Sequence, residues 1–187
     1  CRPFDAARRG LNLGEGAAFL VLEKEEDCTG KKIYARLSGY GNANDSFHPS
    51  SLSDNGDGPF LAMSKALEEA KLSPDKINFI NAHGTATENN DEVESKAMMR
   101  IFEKVPAFAS TKSNIGHTLG AAGAVEAVFS ILNIIHQEVY PALNYQTPVA
   151  STGLVPVQEY ERKIIDHVMS NSFGFAGNCS SLIFSRA

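Results

Sequence analysis

One stretch limits most what this chain can fold into. It is Lys112-Ser-Asn-Ile-Gly-His117-Thr-Leu-Gly-Ala-Ala-Gly123, followed by Ala124, Val125, Ala127, Val128, Phe129, Ile131, Leu132, Ile134 and Ile135. An apolar surface that wide around a helix requires a helix buried on most sides. Its only polar stripe is Glu126, Ser130, Asn133 and Gln137, at helical spacing. The run ahead of it opens on a cation and a polar turn and sets His117 near the mouth of the helix. Free N–H groups and the positive dipole end there favour anions and carbonyl oxygens. Gly116, Gly120 and Gly123 would let another backbone, or a ligand, come close.

The rest of the chain is composed to surround such a helix. It has 187 residues, 43% hydrophobic and 21% charged, enough for one domain with a core and unlike a disordered segment. A net charge of −5 without a Lys/Arg run excludes a nucleic-acid surface. No apolar run reads as long enough to cross a bilayer. The three cysteines, Cys1, Cys28 and Cys179, suit neither a disulfide framework nor a zinc site, and a reducing cytoplasm is the expected setting. A chain that opens on Cys1 is expected to lack its true N-terminus and has no recognisable signal peptide.

Patterning predicts alternating strands and helices. Residues 1–15 read as an arginine-rich loop, and Gly16 to Glu23 as a buried strand emerging into solvent. Lys32 to Tyr40 alternates as a second strand. Residues 41–58 form a long polar loop, a kind that tends to be functional. A helix is predicted from Pro59 to Leu72, a buried strand from Ile77 to Ala82, and an amphipathic helix from Glu88 to Lys104. In that last helix Val93, Ala97, Met98, Ile101 and Phe102 face inward, and Asp91, Glu92 and Glu94 favour the dipole in or near the first turn. A strand at 105–109 precedes the Lys112 loop and its helix. Residues 141–163 are irregular with one short strand, and closing strands follow at 164–173 and 180–184. The order predicts an α/β layer around a mainly parallel sheet with helices on both faces. In such sheets ligands bind outside the carboxyl ends of the strands. Asp45, His48, His83, Lys112 and His117 all follow strands and should converge on one edge.

Two histidines and a lysine at one strand edge suit a reaction that builds negative charge on an oxygen. Neutral imidazole N–H groups can stabilise an enolate, and Lys112 can bias its neighbours or pair with Glu126. Thr85 and Thr87 offer hydroxyls suited to an amide-bearing arm. His48, His83 and His117 lack the tight spacing of a zinc site, so no metal is expected. No obvious nucleophile is present. Cys179, between a loop and a strand, reads as a small buried hydrophobe.

Four motifs carry a family resemblance. Asn81-Ala-His-Gly-Thr-Ala-Thr-Glu-Asn-Asn-Asp91 resembles the first histidine motif of the β-ketoacyl-[acyl-carrier-protein] synthases, condensing enzymes of the thiolase fold. Lys112 to Glu126 resembles their lysine and second-histidine motif. Ser170-Asn-Ser-Phe-Gly-Phe-Ala-Gly177 resembles their C-terminal gating loop. Arg2-Pro-Phe-Asp with Gly14-Glu-Gly-Ala-Ala resembles the end of their first half. The family's order is kept across nearly the whole chain, and the form it most resembles is the elongating, type II one of fatty-acid synthesis or a relative in polyketide or polyene synthesis.

The resemblance implies the C-terminal half of a thiolase-like αβαβα architecture. Residues 1–28 would close the first half and 29–187 would form the second. His83 and His117 would bind the malonyl thioester carbonyl and stabilise the enolate, with Lys112 and Glu126 setting the charge balance. Thr85 and Thr87 would hold the phosphopantetheine arm of acyl carrier protein. Asp45, His48, Phe173 and Phe175 would border the substrate, with Gly174 and Gly177 as hinges of the Phe175 gate. No tightly bound cofactor is implied. The implied partners are acyl carrier protein, the missing first half that bears the nucleophilic cysteine, and a second copy in a homodimer or a ketosynthase heterodimer. The other role open to such a chain is a non-condensing subunit like a chain-length factor. Two departures stand out: Ala176 replaces a glycine of the gating loop, and the family's chain is about twice as long.

Overall fold

The computed structural model describes all 187 residues. The main sheet has five strands: β1 (Arg36–Asn44), β2 (Phe79–Asn81), β3 (Ala107–Ala109), β6 (His167–Phe173) and β7 (Asn178–Ser185). The main helices are α1 (Asp57–Ala70), α2 (Glu88–Ile101), α3 (Lys112–Ile115) and α4 (Ala122–His136). A small ribbon pairs β4 (Glu138–Val139) with β5 (Glu161–Arg162).

The sheet order is β1-β7-β6-β2-β3. β2 runs parallel to β3 and β6, while β7 is antiparallel to both β6 and β1. Four strands therefore share one direction and only β7 opposes them. The link from β6 to β7 is too short for a crossover, which forces that reversal.

Strand alternation sends side chains to two cores. Ile80, Phe108, Met169 and Ile183 point to one face, where Met63 and Leu67 of α1 and Ala97 and Met98 of α2 meet them. Phe79, Ala109, Val168 and Phe184 point to the other, against Ala127 and Ile134 of α4. On the first face α1 presses on β1 closely enough to require glycine. A Cβ at Gly39 would lie 2.3 Å from the Ala66 carbonyl oxygen, and one at Gly41 would lie 2.0 Å from that of Ala62.

The structure departs from the sequence reading in several places. Residues 16–23 join no ladder. Ala18 and Leu20 are half-covered while Phe19 and Val21 are 95% and 90% exposed. The run has apolar composition on both faces but a neighbour on only one. β1 starts later and runs to Asn44, because Gly41 to Asn44 stay in register with Ser181 to Asn178. Asn42 and Asn44 alternate outward, so a polar, glycine-rich segment still fits an edge strand. The Lys112 segment is a short helix rather than a loop.

Helix α4 reverses expectation. Its deepest face is the polar stripe, with Glu126, Ser130 and Asn133 buried, while Val125, Phe129 and Leu132 are only half-covered. Asn81 Nδ2 of β2 donates to the Glu126 backbone carbonyl at 3.1 Å, and Asn133 Nδ2 to the carbonyl of Glu138 in β4 at 2.7 Å. The stretch Leu119–His136 is long and apolar enough to cross a membrane by length and composition, contrary to the sequence reading. Its packing on β6 and its inward carboxylate match a core helix instead. Asp91, in the first turn of α2 as expected, and Glu94 beyond it both point inward and are fully buried.

Candidate active site

The ends of β1, β2, β3 and β6 lie on one edge of the sheet, and each hands its chain to a segment singled out in the sequence. After β2 comes His83, 5% exposed. After β3 comes Lys112, 1% exposed at the first residue of α3. His117 follows α3, where its N–H donates to the Asn12 carbonyl at 2.8 Å. Three residues from two motifs thus meet. The rings of His83 and His117 stand edge to face with centroids 5.5 Å apart, and Phe173, at the end of β6, lies 5.8 Å from His83.

Lys112 is the hub. Its ammonium has three hydrogens and three partners: Glu126 Oε1, the His83 carbonyl at 2.6 Å and His83 Nδ1 at 3.2 Å. The pair with Glu126 is almost wholly shielded from solvent. Burial raises the Glu126 carboxyl above its ordinary value, and the neighbouring Lys112 charge opposes that rise. Burial first, then the charge of Lys112, holds both imidazoles below the usual histidine value, His83 well below it.

The hydrogen bonds assign the tautomers. His83 Nδ1 accepts from Lys112, and His117 Nδ1 accepts from the Leu119 N–H at 3.1 Å. Each neutral ring therefore carries its proton on Nε2 and presents a donor there. A buried cation with two neutral donors is an arrangement that can stabilise negative charge forming on an oxygen.

The loop bearing His83 is fixed by a group that pattern reading misplaced. Glu94 accepts the backbone N–H groups of His83 and Gly84, each at 2.9 Å, and Asn171 Nδ2 at 3.1 Å. Burial pushes its carboxyl up to about 7 against those three donors. Its neighbour Asp91 accepts from Phe4 N at 2.7 Å and Ala86 N at 3.1 Å, and burial pushes it up to about 6. The signal was present in the sequence. Glu94 lies three and four residues before Ala97 and Met98, on the same inward face.

Thr85 and Thr87 project from the turn between His83 and α2, with their hydroxyl oxygens 2.9 Å apart. Asp45 and His48 lie on the same edge of the sheet but make no contact with the histidine pair. Asp45 secures its own loop, accepting Ser53 Oγ at 2.8 Å and the Gly58 N–H at 2.7 Å. His48 is exposed, and its Nδ1 accepts only from Ser50. This loop is sewn to the segment after β6. Asp45 N donates to the Gly177 carbonyl, Asn44 Nδ2 to that of Ala176, and Ala176 N to that of Pro49, at 2.7 to 2.9 Å. Phe175, 76% exposed, stands at the tip, and Gly174 and Gly177 flank it. Cys179 is buried, its thiol pushed up to about 12 by burial and by Asp45 and Glu94, so it is no nucleophile near neutral pH.

Ala176 adopts φ 58°, a left-handed conformation that an alanine takes at a cost glycine avoids. Ala176→Gly is therefore expected to stabilise the fold by about 1 kcal/mol, read from the midpoint of chemical denaturation. A midpoint that falls would show that the loop does not strain this residue.

Comparison with known proteins agrees with the fold. Residues 34–146 match the family model described as beta-ketoacyl synthase, C-terminal domain. The chain is 42% identical over 192 residues to the mitochondrial 3-oxoacyl-[acyl-carrier-protein] synthase of Arabidopsis thaliana, covering 98% of this chain and 42% of that protein. A beta-ketoacyl synthase from Burkholderia phymatum superposes with a TM-score of 0.95 at 40% identity, over 100% of this chain and 46% of that one. A type II PKS acyl-carrier protein in complex with its ketosynthase bound to the hexaketide matches with a TM-score of 0.95 at 34% identity, over 100% of this chain and 47% of that one. The chain thus spans about half the length of the relatives it matches. With its matched residues lying over the strands and helices that bring His83, Lys112 and His117 together, this chain belongs to the beta-ketoacyl synthase family, as its C-terminal, thiolase-like half.

Proposed function

We propose that this chain supplies the His-His-Lys half of a β-ketoacyl-acyl-carrier-protein synthase. The observation that carries the reading is the Lys112-centred cluster, which holds two neutral histidines as Nε2–H donors with ring centroids 5.5 Å apart. The malonyl thioester oxygen would accept from both. As the bond to the carboxylate breaks and carbon dioxide leaves, its electron pair moves into the enolate, whose negative oxygen the two N–H groups stabilise. The enolate carbon then attacks an acyl thioester on a cysteine of the first half. The new carbon–carbon bond forms as that cysteine leaves as thiolate. Lys112 does not touch the substrate in this scheme. Its charge keeps His83 neutral and correctly oriented, and Glu126 balances it.

Thr85 and Thr87 would hydrogen-bond the phosphopantetheine arm of acyl carrier protein. Phe173 and Phe175 would line the acyl side, with Gly174 and Gly177 as hinges, and Asp45 and His48 would border the site through the loop sewn to that gate. Residues 1–28 would end a first half and residues 29–187 form the second. Exposed Phe19, Val21 and Leu22, with the half-covered face of α4, fit a surface that such a first half covers. A homodimer, a cytoplasmic setting for the three free cysteines, and no tightly bound cofactor complete the reading. A non-condensing subunit like a chain-length factor is the other role open to the chain. The intact histidine pair argues against it, since tunnel shaping needs no donors.

The test joins this chain to a cysteine-bearing first half and supplies acyl- and malonyl-carrier protein. A β-ketoacyl product is expected from the joined halves, and neither acyl-enzyme nor product from this chain alone. Carbon dioxide release without condensation would move the chain to the non-condensing class. A stoichiometric acyl-enzyme on the isolated chain would place the nucleophile here and overturn the mechanism.

A further inference from the structure

Arg8 is held away from solvent, its side chain 6% exposed, and lies outside every motif used above. All its hydrogen bonds end on backbone carbonyls. Nε donates to Thr87 O at 3.2 Å, Nη2 to Glu88 O at 2.7 Å, and Nη1 to Asp5 O at 3.2 Å. The fork thus bridges the incoming strap and the first residues of α2. A cation at the start of a helix opposes the helix dipole, so its place there is not explained by helix stability. Buried Asp91, 3.9 Å away, offsets the charge.

The same strap grips the turn at further points. Gly10 N donates to Ala86 O at 2.8 Å, and Asp91 joins Phe4 N to Ala86 N. Ala86, between the two threonines, has φ 64° and Phe4 has φ 63°. Left-handed backbone at two L-residues persists only where the surroundings determine it. Here the determining contacts come from Phe4, Arg8, Gly10 and Asp91, and what they hold is the Thr85–Thr87 hydroxyl pair.

The geometry points to Arg8 as a positioning residue for recognition of an amide-bearing substrate arm, acting through Thr85 and Thr87. The inference rests on the assignment of those threonines to the pantetheine arm. Lysine keeps the charge at this position but loses the planar fork that reaches two carbonyls at once.

The experiment compares two malonyl thioesters, one of pantetheine and one of methanethiol, in the synthase containing this chain and its first half. Carbon dioxide release gives kcat and KM. Arg8→Lys is expected to raise KM for the pantetheine thioester about tenfold, the effect of one or two misplaced hydrogen bonds, with kcat within about twofold. The methyl thioester, which has no arm to hold, should show no change in KM. Adding Arg8→Lys to Thr85→Val/Thr87→Val should produce no further rise. Arg8→Gln, which keeps a donor without the charge, gives the same read-out if the lysine variant does not fold. If the threonine variants leave KM for the pantetheine thioester unchanged, their assignment falls and this inference with it. If they raise it while the Arg8 variants leave it unchanged, or shift both thioesters together, the inference alone is overturned.

Discussion

Lys112→Met is expected to destabilise the fold by about 3–5 kcal/mol, the usual cost of removing one partner from a buried ion pair. Glu126 would be left as a carboxylate 2% exposed, facing the space where its only cation stood. Glu126 would then take up a proton at neutral pH, since burial already favours the protonated form and only Lys112 and neighbouring hydrogen bonds resist it. Removing both charges with Lys112→Met/Glu126→Leu should recover most of the stability, because an apolar pair of similar volume replaces an ion pair without loss in many cores. It should not recover activity. His83 Nδ1 would no longer have a donor to fix its tautomer, and the ring would be free to turn its proton away from the substrate. Denaturation midpoints and decarboxylation rates on the single and double variants separate the two effects. If the double variant recovers both, Lys112 has a structural role alone.

The layered α/β order, the strand-edge convergence and the residues His83, Lys112 and His117 were legible because short motifs and periodicity encode them. Lys112 and His83 lie 29 residues apart, yet each follows a strand of one parallel group, and parallel strands place their exits on one edge. The errors have a common physical source. Periodicity reports which residues share a face, but not whether that face meets a sheet or solvent. On α4 it found the stripe Glu126, Ser130, Asn133 correctly and implied a helix buried on most sides, whereas the stripe, which carries the ion pair, meets the sheet and much of the apolar surface is only half-covered. On α2 it left Asp91 and Glu94 at the helix start by charge alone, although both are buried beneath backbone N–H groups.

Loop geometry was the least legible. Asp45 and His48 reach the expected edge, but Asp45 is consumed by Ser53 and Gly58, and no spacing rule anticipates such tertiary hydrogen bonds. The same holds for Arg8. An arginine in an irregular segment reads as solvated, and only the fold shows that its fork ends on Thr87 and Glu88. Residues 16–23 show the limit from the other side. Their composition demands cover, which this chain provides on one face only, through Ala18 and Leu20.

His83→Ala and His117→Ala are each expected to slow decarboxylation of the malonyl thioester by about 10²–10³-fold, the usual effect of removing one donor to a developing oxyanion. Acyl transfer to the cysteine of the first half should change much less, since it does not pass through the malonyl enolate. The two losses should not add fully. Once one donor is gone the oxygen is no longer held where the second can serve it. A pH profile provides the independent check. Both imidazoles have folded-state values below the ordinary 6.5, chiefly through burial. The neutral, donor-bearing form is therefore fully populated above 6.5 and persists as pH falls below it. Activity should go as pH falls through their lowered values, while the stability these rings contribute as neutral groups is full above 6.5 and is lost over the window between 6.5 and those values. Removing the Lys112 charge should raise the titration of both imidazoles, read by NMR on the Lys112→Met/Glu126→Leu variant rather than from activity, because that charge is the second cause of both shifts. Imidazole titrations that stay in place, or decarboxylation that survives loss of both histidines, would assign the enolate chemistry to other groups.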